Sequence, residues 1–250
     1  MTLLSYRSGC LWQLGYPAAS LDDAERAVKN ARETGRAATL VYALSRAATS
    51  YIFCRNYAAA NEQVDELIAL ADEKGKALGN LQRSMLLVLT GKASDAVRAI
   101  TSAITSLRST GAALYEPWHL EHLAAAYAEL GQLDDARRCI DDAIDRLERS
   151  KEKWCEAEVH RIAGEIELRS RTPDTEQAEK YFNRALAVAR QQQARSWELR
   201  AAMSMARLWR SQGKPQQARE LLAPVYSWFT EGFDTLDLKD AKALLDELAT

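Results

Sequence analysis

The sequence predicts an all-α fold, a right-handed superhelical solenoid of about six helical hairpins closed by a C-terminal capping helix. Two observations carry this. A stripe of small and apolar residues returns along the chain as Ser20-Ala24-Ala27, Ala60-Val64-Leu67, Ala96-Ile100-Ala103, Ala136-Ile140-Ala143, Ala178-Phe182-Ala185 and Ala218-Leu222-Val225. Spacings of four then three mark one face of an α-helix, and first members at 20, 60, 96, 136, 178 and 218 set a period of about forty residues. The second observation is where the breakers fall. Gly15-Tyr16-Pro17, Arg55-Asn56, Gly91-Lys92, Gly131-Gln132, Arg171-Thr172-Pro173 and Gly213-Lys214-Pro215 each stand just before a stripe.

Upstream of each stripe lies a partner helix. The clearest reads Leu120-x-x-Leu123-Ala124-x-x-Tyr127, then Gly131, then Ala136. Two helices that cross closely leave room only for Ala, Gly or Ser at the crossing. Corresponding first helices carry Ala48 and Tyr51, Ser84 and Leu87, and Ala206 and Trp209. This pairing resembles the tetratricopeptide pattern, with a period longer than that repeat's usual 34 residues or so. Gly35, Gly75, Gly111, Ser150 to Lys153 and Gln191 to Gln193 are read as the joints between hairpins. The fifth hairpin is the least regular, with about two extra residues before Pro173. Residues 1–231 are taken as the array and 232–250 as a capping helix of the same domain. In that cap Gly232 breaks the helix, Asp237 serves as N-cap, and Trp228, Phe229 and Phe233 fill the gap beneath Leu238, Ala241, Leu244, Leu245 and Leu248.

Composition narrows the function. Lys+Arg (33) and Asp+Glu (35) nearly cancel, leaving a formal net charge of -2 and no whole-chain field for holding nucleic acid. No apolar run approaches a membrane span, and the N-terminus has no basic segment followed by a long apolar core. Neither nucleic acid nor membrane is expected as a partner, and a cytoplasmic location is expected. Cys10, Cys54, Cys139 and Cys155 form no C-x-x-C pair and are read as reduced thiols.

Searches for chemistry end without a catalytic site. His119 and His122 lie three apart but lack a third ligand, so no metal is assigned. Leu89-Thr90-Gly91-Lys92-Ala93 is a phosphate loop in outline only, since Leu86 replaces its first glycine and Ala93 its magnesium-binding hydroxyl. No cofactor is expected. The informative face is instead the groove lined by first helices, where the register places Arg161, Glu165, Arg200, Met203, Arg207 and Arg210. Arginines there can take partner carboxylates in a bidentate fork, or can pair internally with Glu165 and Glu198. Leu78, Leu81 and Met85 make earlier groove positions apolar. A small-molecule sensor is the alternative, with Tyr42, Phe53 and Trp118 as its aromatic contributors.

The C-terminal text sharpens the picture. Ala185 to Ala202, Leu208-Trp209, Gly213 and the closing SWFTEGFDTLDLKDAKALLDEL, residues 227–248, resemble the tetratricopeptide tail of bacterial proteins that join a class III adenylate/guanylate cyclase to an AAA-type ATPase. The resemblance is loose over the chain and sharp over 178–248. It implies a non-catalytic bacterial module that binds protein or peptide, with the cyclase and ATPase domains of that family as partners. Neither the cyclase's metal-binding aspartates nor the ATPase's phosphate loop has a counterpart here. The resemblance implies a truncated gene product or free-standing remnant, in which residues 1–14 (carrying Leu3, Leu4, Leu11, Trp12 and Leu14) fray or pair.

Overall fold

In a computed structural model, which describes residues 2–109 and 115–249, the described residues form thirteen α-helices and no strands. Six hairpins run in order. They are α1 (Thr2–Gln13) with α2 (Pro17–Glu33), α3 (Ala37–Phe53) with α4 (Tyr57–Leu70), and α5 (Glu73–Leu89) with α6 (Ala93–Ser109). There follow α7 (Glu116–Glu129) with α8 (Leu133–Ser150), α9 (Glu156–Leu168) with α10 (Thr175–Gln191), and α11 (Arg195–Ser211) with α12 (Pro215–Ser227). The last helix is α13 (Leu236–Glu247). The chain divides into two compact units, Met1–Thr110 with Glu231–Leu236, and Gly111–Thr230 with Asp237–Thr250.

One turn chemistry recurs in five hairpins. At the α7–α8 joint Gly131 adopts φ 74°, a left-handed conformation that only glycine reaches cheaply. The Gln132 N–H then reaches back to the Tyr127 carbonyl at 2.9 Å, satisfying an orphan carbonyl of the helix end. The same five-residue back-bond joins Tyr16 to Leu11, Asn56 to Tyr51, Lys92 to Leu87 and Lys214 to Trp209. In the second hairpin Arg55, at φ 59°, takes the glycine's place. Like turns leave small residues twelve apart on the paired helices, Ala48 and Ala60, Ala124 and Ala136, and Ala206 and Ala218, all fully buried. Leucine at Ala124 or Ala136 is expected to overpack the crossing and cost about 1–3 kcal/mol. Unchanged melting of both variants would refute the register.

The fifth hairpin solves the crossing differently. Asp174 caps α10 by accepting from the Gln177 N–H at 2.9 Å, and the longer turn moves Phe182 onto α9. The ring lies against Gly164, where any Cβ would stand 2.5 Å from a ring carbon. Ala178 remains fully buried, and the extra turn residues between α9 and α10 account for the longer period.

Within the first unit, Ala24, Val28, Ala43, Leu44, Ala47 and Leu67 form a core that joins three helices. Trp12 stacks on Phe53 with ring centroids 4.5 Å apart, and the Ser8 hydroxyl contacts Ser50 Oγ at 2.6 Å, so α1 is seated on α3. Leu3 remains 75% exposed. Sequence expectations are corrected here at Gly75 and Phe233. Gly75 is no joint: the chain breaks at Ala71-Asp72, and Gly75 lies in the first turn of α5, donating its N–H to the capping Asp72 carboxylate at 3.0 Å. Gly111 falls outside the described residues. Residues 231–236 pack on the first unit. There the Ala19 N–H donates to Glu231 Oε1 at 2.9 Å, and Gly232 passes so close to Pro17 that a Cβ would sit 2.2 Å from its Cγ. Phe233 is consequently half exposed and does not lie under a cap.

In the second unit, Leu238, Ala241, Leu244 and Leu248 join one core with Phe182, Leu199, Met205, Leu222, Val225 and Phe229. Trp228 is half-buried against that core, with the Arg195 guanidinium 5.2 Å from its ring centre. Asp237 is not an N-cap. It sits inside the first turn of α13 and pairs with Arg200.

Candidate functional site

Helices α7, α9, α11 and α13 of the second unit carry a chain of largely buried charged groups. Its hub is Glu158, buried at 6% exposure. Arg161, one turn on, donates to both its oxygens at 2.7 and 2.8 Å. Arg200 of α11 approaches the same carboxylate at 3.6 Å and donates through Nε to Asp237 of α13 at 2.8 Å. Its guanidinium also lies 5.1 Å from the Trp197 ring centre. Ser204 donates to Glu165 at 2.6 Å, and Arg161 reaches both of them at 3.4 Å.

On α7 the chain continues through Glu121 and His122. His122 Nδ1–H donates to the Trp118 carbonyl at 2.9 Å. Glu121 Oε2 lies equally near, but off the N–H direction, so that contact is electrostatic and the oxygen accepts no hydrogen bond. Burial alone would discharge His122; the attraction of Glu121 outweighs it and raises the pKa. The same contest is won by charge at Glu158, where burial raises the pKa but Arg161 and Arg200 pull it below the ordinary value. Burial disfavours the Arg161 cation, and Glu158 more than restores it.

His119 and His160 behave oppositely. Burial, aided by His122, pushes His119 down to about 3, and burial brings His160 to about 4 despite Glu156. Both therefore fold neutral. With folded values below the unfolded value near 6.5, the unfolded chain binds more protons between them. The stability they contribute is present above about pH 6.5 and lost as pH falls, by up to about 1.4 kcal/mol per unit and group. His122, with its raised value, acts in the other direction: its contribution is full below the unfolded pKa and fades as pH rises. Denaturation at pH 5 is expected to show lower stability than at pH 7, and His119→Phe to narrow the gap. Equal stabilities would contradict a neutral buried His119.

The arginine stripe read from the sequence thus divides. Arg161, Glu165 and Arg200 join the internal network, while Met203 is buried among apolar neighbours. Arg210 is paired with Glu247 of α13 at the surface. Arg207 is exposed and makes no hydrogen bond or ion pair with the described residues. Glu198 pairs with Arg190 at 2.8 Å and Arg195 at 2.7 Å, away from the stripe. Sequence reasoning missed Glu158 and Asp237. Glu158 occupies a groove position by the register that located Arg161, so the signal was present; Asp237 looked like a cap.

Each aromatic of the alternative reading has ring neighbours of its own. Phe53 is buried on Trp12, Tyr42 lies 6.2 Å from Tyr6, and Trp118 packs edge-on against His122 and Trp154. A cleft of about 230 Å³ beside Arg137, Glu167 and Tyr181 and another of about 160 Å³ beside Lys29 and Tyr51 touch none of these aromatics. No described helix is long and apolar enough to cross a membrane.

No family model and no curated protein matches the sequence. Solved structures do. The chain is similar to a Rap protein complexed with competence and sporulation factor, at 12% identity and a TM-score of 0.67, over 94% of this chain and 63% of that one. It is similar to NprR in complex with its cognate peptide NprX, at 16% identity and a TM-score of 0.60, over 98% of this chain and 72% of that one. It is also similar to yeast Tom70, at 12% identity and a TM-score of 0.56, over 95% of this chain and 46% of that one. The chain thus spans less than two thirds of the Rap and Tom70 chains. These likenesses and the thirteen helices among the described residues establish a tetratricopeptide-like helical-repeat fold.

Proposed function

We propose that the chain is a non-catalytic helical-repeat module that binds an acidic segment of a peptide or protein through the outer arginines of α11. The observation that carries this is the uneven pairing on the stripe. Arg161, Arg200 and Arg210 each have a carboxylate, and Arg207, one turn from Met203 and Arg210, has none among the described residues. The internal network ties α9, α11 and α13 together through Arg161, Glu158, Arg200 and Asp237, which favours a cation already in place for a partner carboxylate. Rap and NprR, solved with a bound factor or peptide, share the fold. The resemblance of residues 178–248 to cyclase–ATPase tails supports the finer reading, in which the partner segment lies in those domains and the module regulates them.

A fluorescent glutamate-rich peptide tests the site. Arg207→Glu is expected to weaken binding about tenfold or more, and raised salt to weaken it further. Glu247→Gln frees Arg210 and is expected to tighten binding a few-fold. If both variants bind like the parent, the site is elsewhere. Adding the module to a cyclase–ATPase protein lacking its tail should change the ATPase rate; no change would remove the regulatory reading.

A further inference from the structure

One cleft of the second unit, about 230 Å³ in volume, opens between α8 and α10 over α9. Its floor is apolar, since Ile140, Ala163 and Ile166 are each no more than 3% exposed. At about 100° per residue, Ala163, Ile166 and Glu167 lie on the side of α9 opposite Glu158, Arg161 and Glu165. The cleft is therefore separate from the charged row described above. Its rim is polar, and the groups there differ in what they have left to offer. Glu167 accepts from Arg137 Nε at 3.1 Å and from Nη2 at 2.8 Å, so those two charges answer each other. Asp141 is exposed and makes no hydrogen bond or ion pair with the described residues. The Tyr181 hydroxyl makes no hydrogen bond with them either, while its ring stacks on His160 with centroids 6.2 Å apart. Arg137 against Glu167 and Asp141 leaves the rim with one net negative charge.

The repeat does not dictate this inventory. The cleft of about 160 Å³ in the first unit occupies the same place in its own hairpins. Glu25 stands five residues after Ser20, as Asp141 does after Ala136, and Tyr51 three after Ala48, as Glu167 does after Gly164. There the acid is engaged, because the Tyr51 hydroxyl donates to Glu25 at 3.2 Å. Lys29 and Arg32 against Glu25 also make that rim net positive. Only the second-unit cleft of this pair keeps its acid free.

We propose that the second-unit cleft binds a primary alkylammonium group. The alkyl stem covers Ile140, Ala163 and Ile166. The three N–H donors go to the Asp141 carboxylate, the Tyr181 hydroxyl oxygen and the acceptor sites that Glu167 keeps beyond its fork with Arg137. Pockets that enclose drug-sized ligands run to about 300–1,000 Å³, so this smaller one suits a stem of about five carbons. An anion would be repelled by Asp141, and a neutral molecule would leave that charge unanswered. A free amine and a lysine side chain both present the required group. The site takes the opposite charge from the α11 arginines and does not depend on that reading.

Calorimetric titration of the full chain with pentylammonium is the test. Saturable binding with a Kd of about 1 mM or tighter is expected, within the ceiling for so few atoms. The alcohol 1-pentanol, with the same stem and no charge, should bind about tenfold more weakly or worse. Asp141→Asn should weaken the ammonium about tenfold or more at an unchanged melting temperature, because the carboxylate is exposed and unpaired. Asp142→Asn makes the same charge change on a neighbour that does not line the cleft, and should alter binding less than about twofold. Tyr181→Phe removes only the hydroxyl and should cost about threefold. Arg207→Glu should leave this binding unchanged, which separates the site from the one on α11. Nα-acetyl-lysine methylamide distinguishes the sources: affinity equal to that of pentylammonium assigns a lysine side chain, and a clear loss assigns a free amine. No saturable binding, 1-pentanol bound as tightly as the ammonium, or equal affinities of the Asp141→Asn and Asp142→Asn proteins would each overturn the proposal.

Discussion

Replacing Glu158 with alanine is expected to cost about 3–5 kcal/mol, among the largest effects of any single substitution in this protein. The loss does not come from the attraction alone. Glu158 reaches both Arg161 and Arg200. Arg161 would keep Glu165 at 3.4 Å, and Arg200 would keep Asp237 at 2.8 Å, each with half its former neutralisation. Two guanidiniums that are mostly out of water would then face one another with less negative charge between them. Glu158→Gln should cost less, because the amide oxygen still accepts one hydrogen bond. Glu158→Leu combined with Arg161→Met should recover much of the loss, since apolar residues of similar volume often match a buried pair. Urea denaturation of the three variants decides the matter; a loss under about 1 kcal/mol for alanine would show the network to be loosely solvated. The depressed pKa of Glu158 adds a signature. Its contribution is present above the ordinary carboxylate range and disappears as pH falls through the folded value, so the alanine variant should lose less than the parent on strong acidification.

The repeat was legible because its cause is local. Two helices joined by a short turn cross at a fixed distance from it, so Ala124 and Ala136 declare each other across twelve residues without help from the rest of the chain. Reading failed where a residue's role is settled from far away. Asp237 has the residue type and position of a cap, yet Arg200, on another helix, takes its carboxylate. Gly75 failed for a local reason instead: it looks like punctuation, but Asp72, three residues earlier, starts the helix before it. Gly164 carries no signal of its own; its need for a missing side chain appears only when Phe182 lies on it. The arginine stripe shows both sides. Periodicity alone puts Arg200, Arg207 and Arg210 on one face, while their availability depends on Asp237 and Glu247, brought back by α13.

Deleting residues 232–250 is expected to destabilise the second unit severely and to make the shortened chain associate. α13 supplies Leu238 and Leu244 to the core, and the residue after it, Leu248, joins them, each buried and each contributing about 1.5–3 kcal/mol by burial. Ordering twelve residues offsets much of that gain, so the helix itself is only modestly favourable. What it leaves behind is the larger matter. Leu222, Val225 and Phe229 belong to the same core and would be uncovered together, creating a contiguous apolar surface of the kind that drives association. Arg200 would lose Asp237, and Arg210 would lose Glu247, so the uncovered surface would also hold a half-neutralised buried cation. Leu244→Asp separates these contributions, because it keeps both ion pairs and spoils only the apolar seam. Light scattering and thermal melting of the two proteins should show association and a lower midpoint for the deletion, and a lower midpoint for Leu244→Asp. A deletion protein that stays monomeric and melts like the parent would mean that α11 and α12 are self-sufficient, and that the closing helix serves the partner-binding face alone.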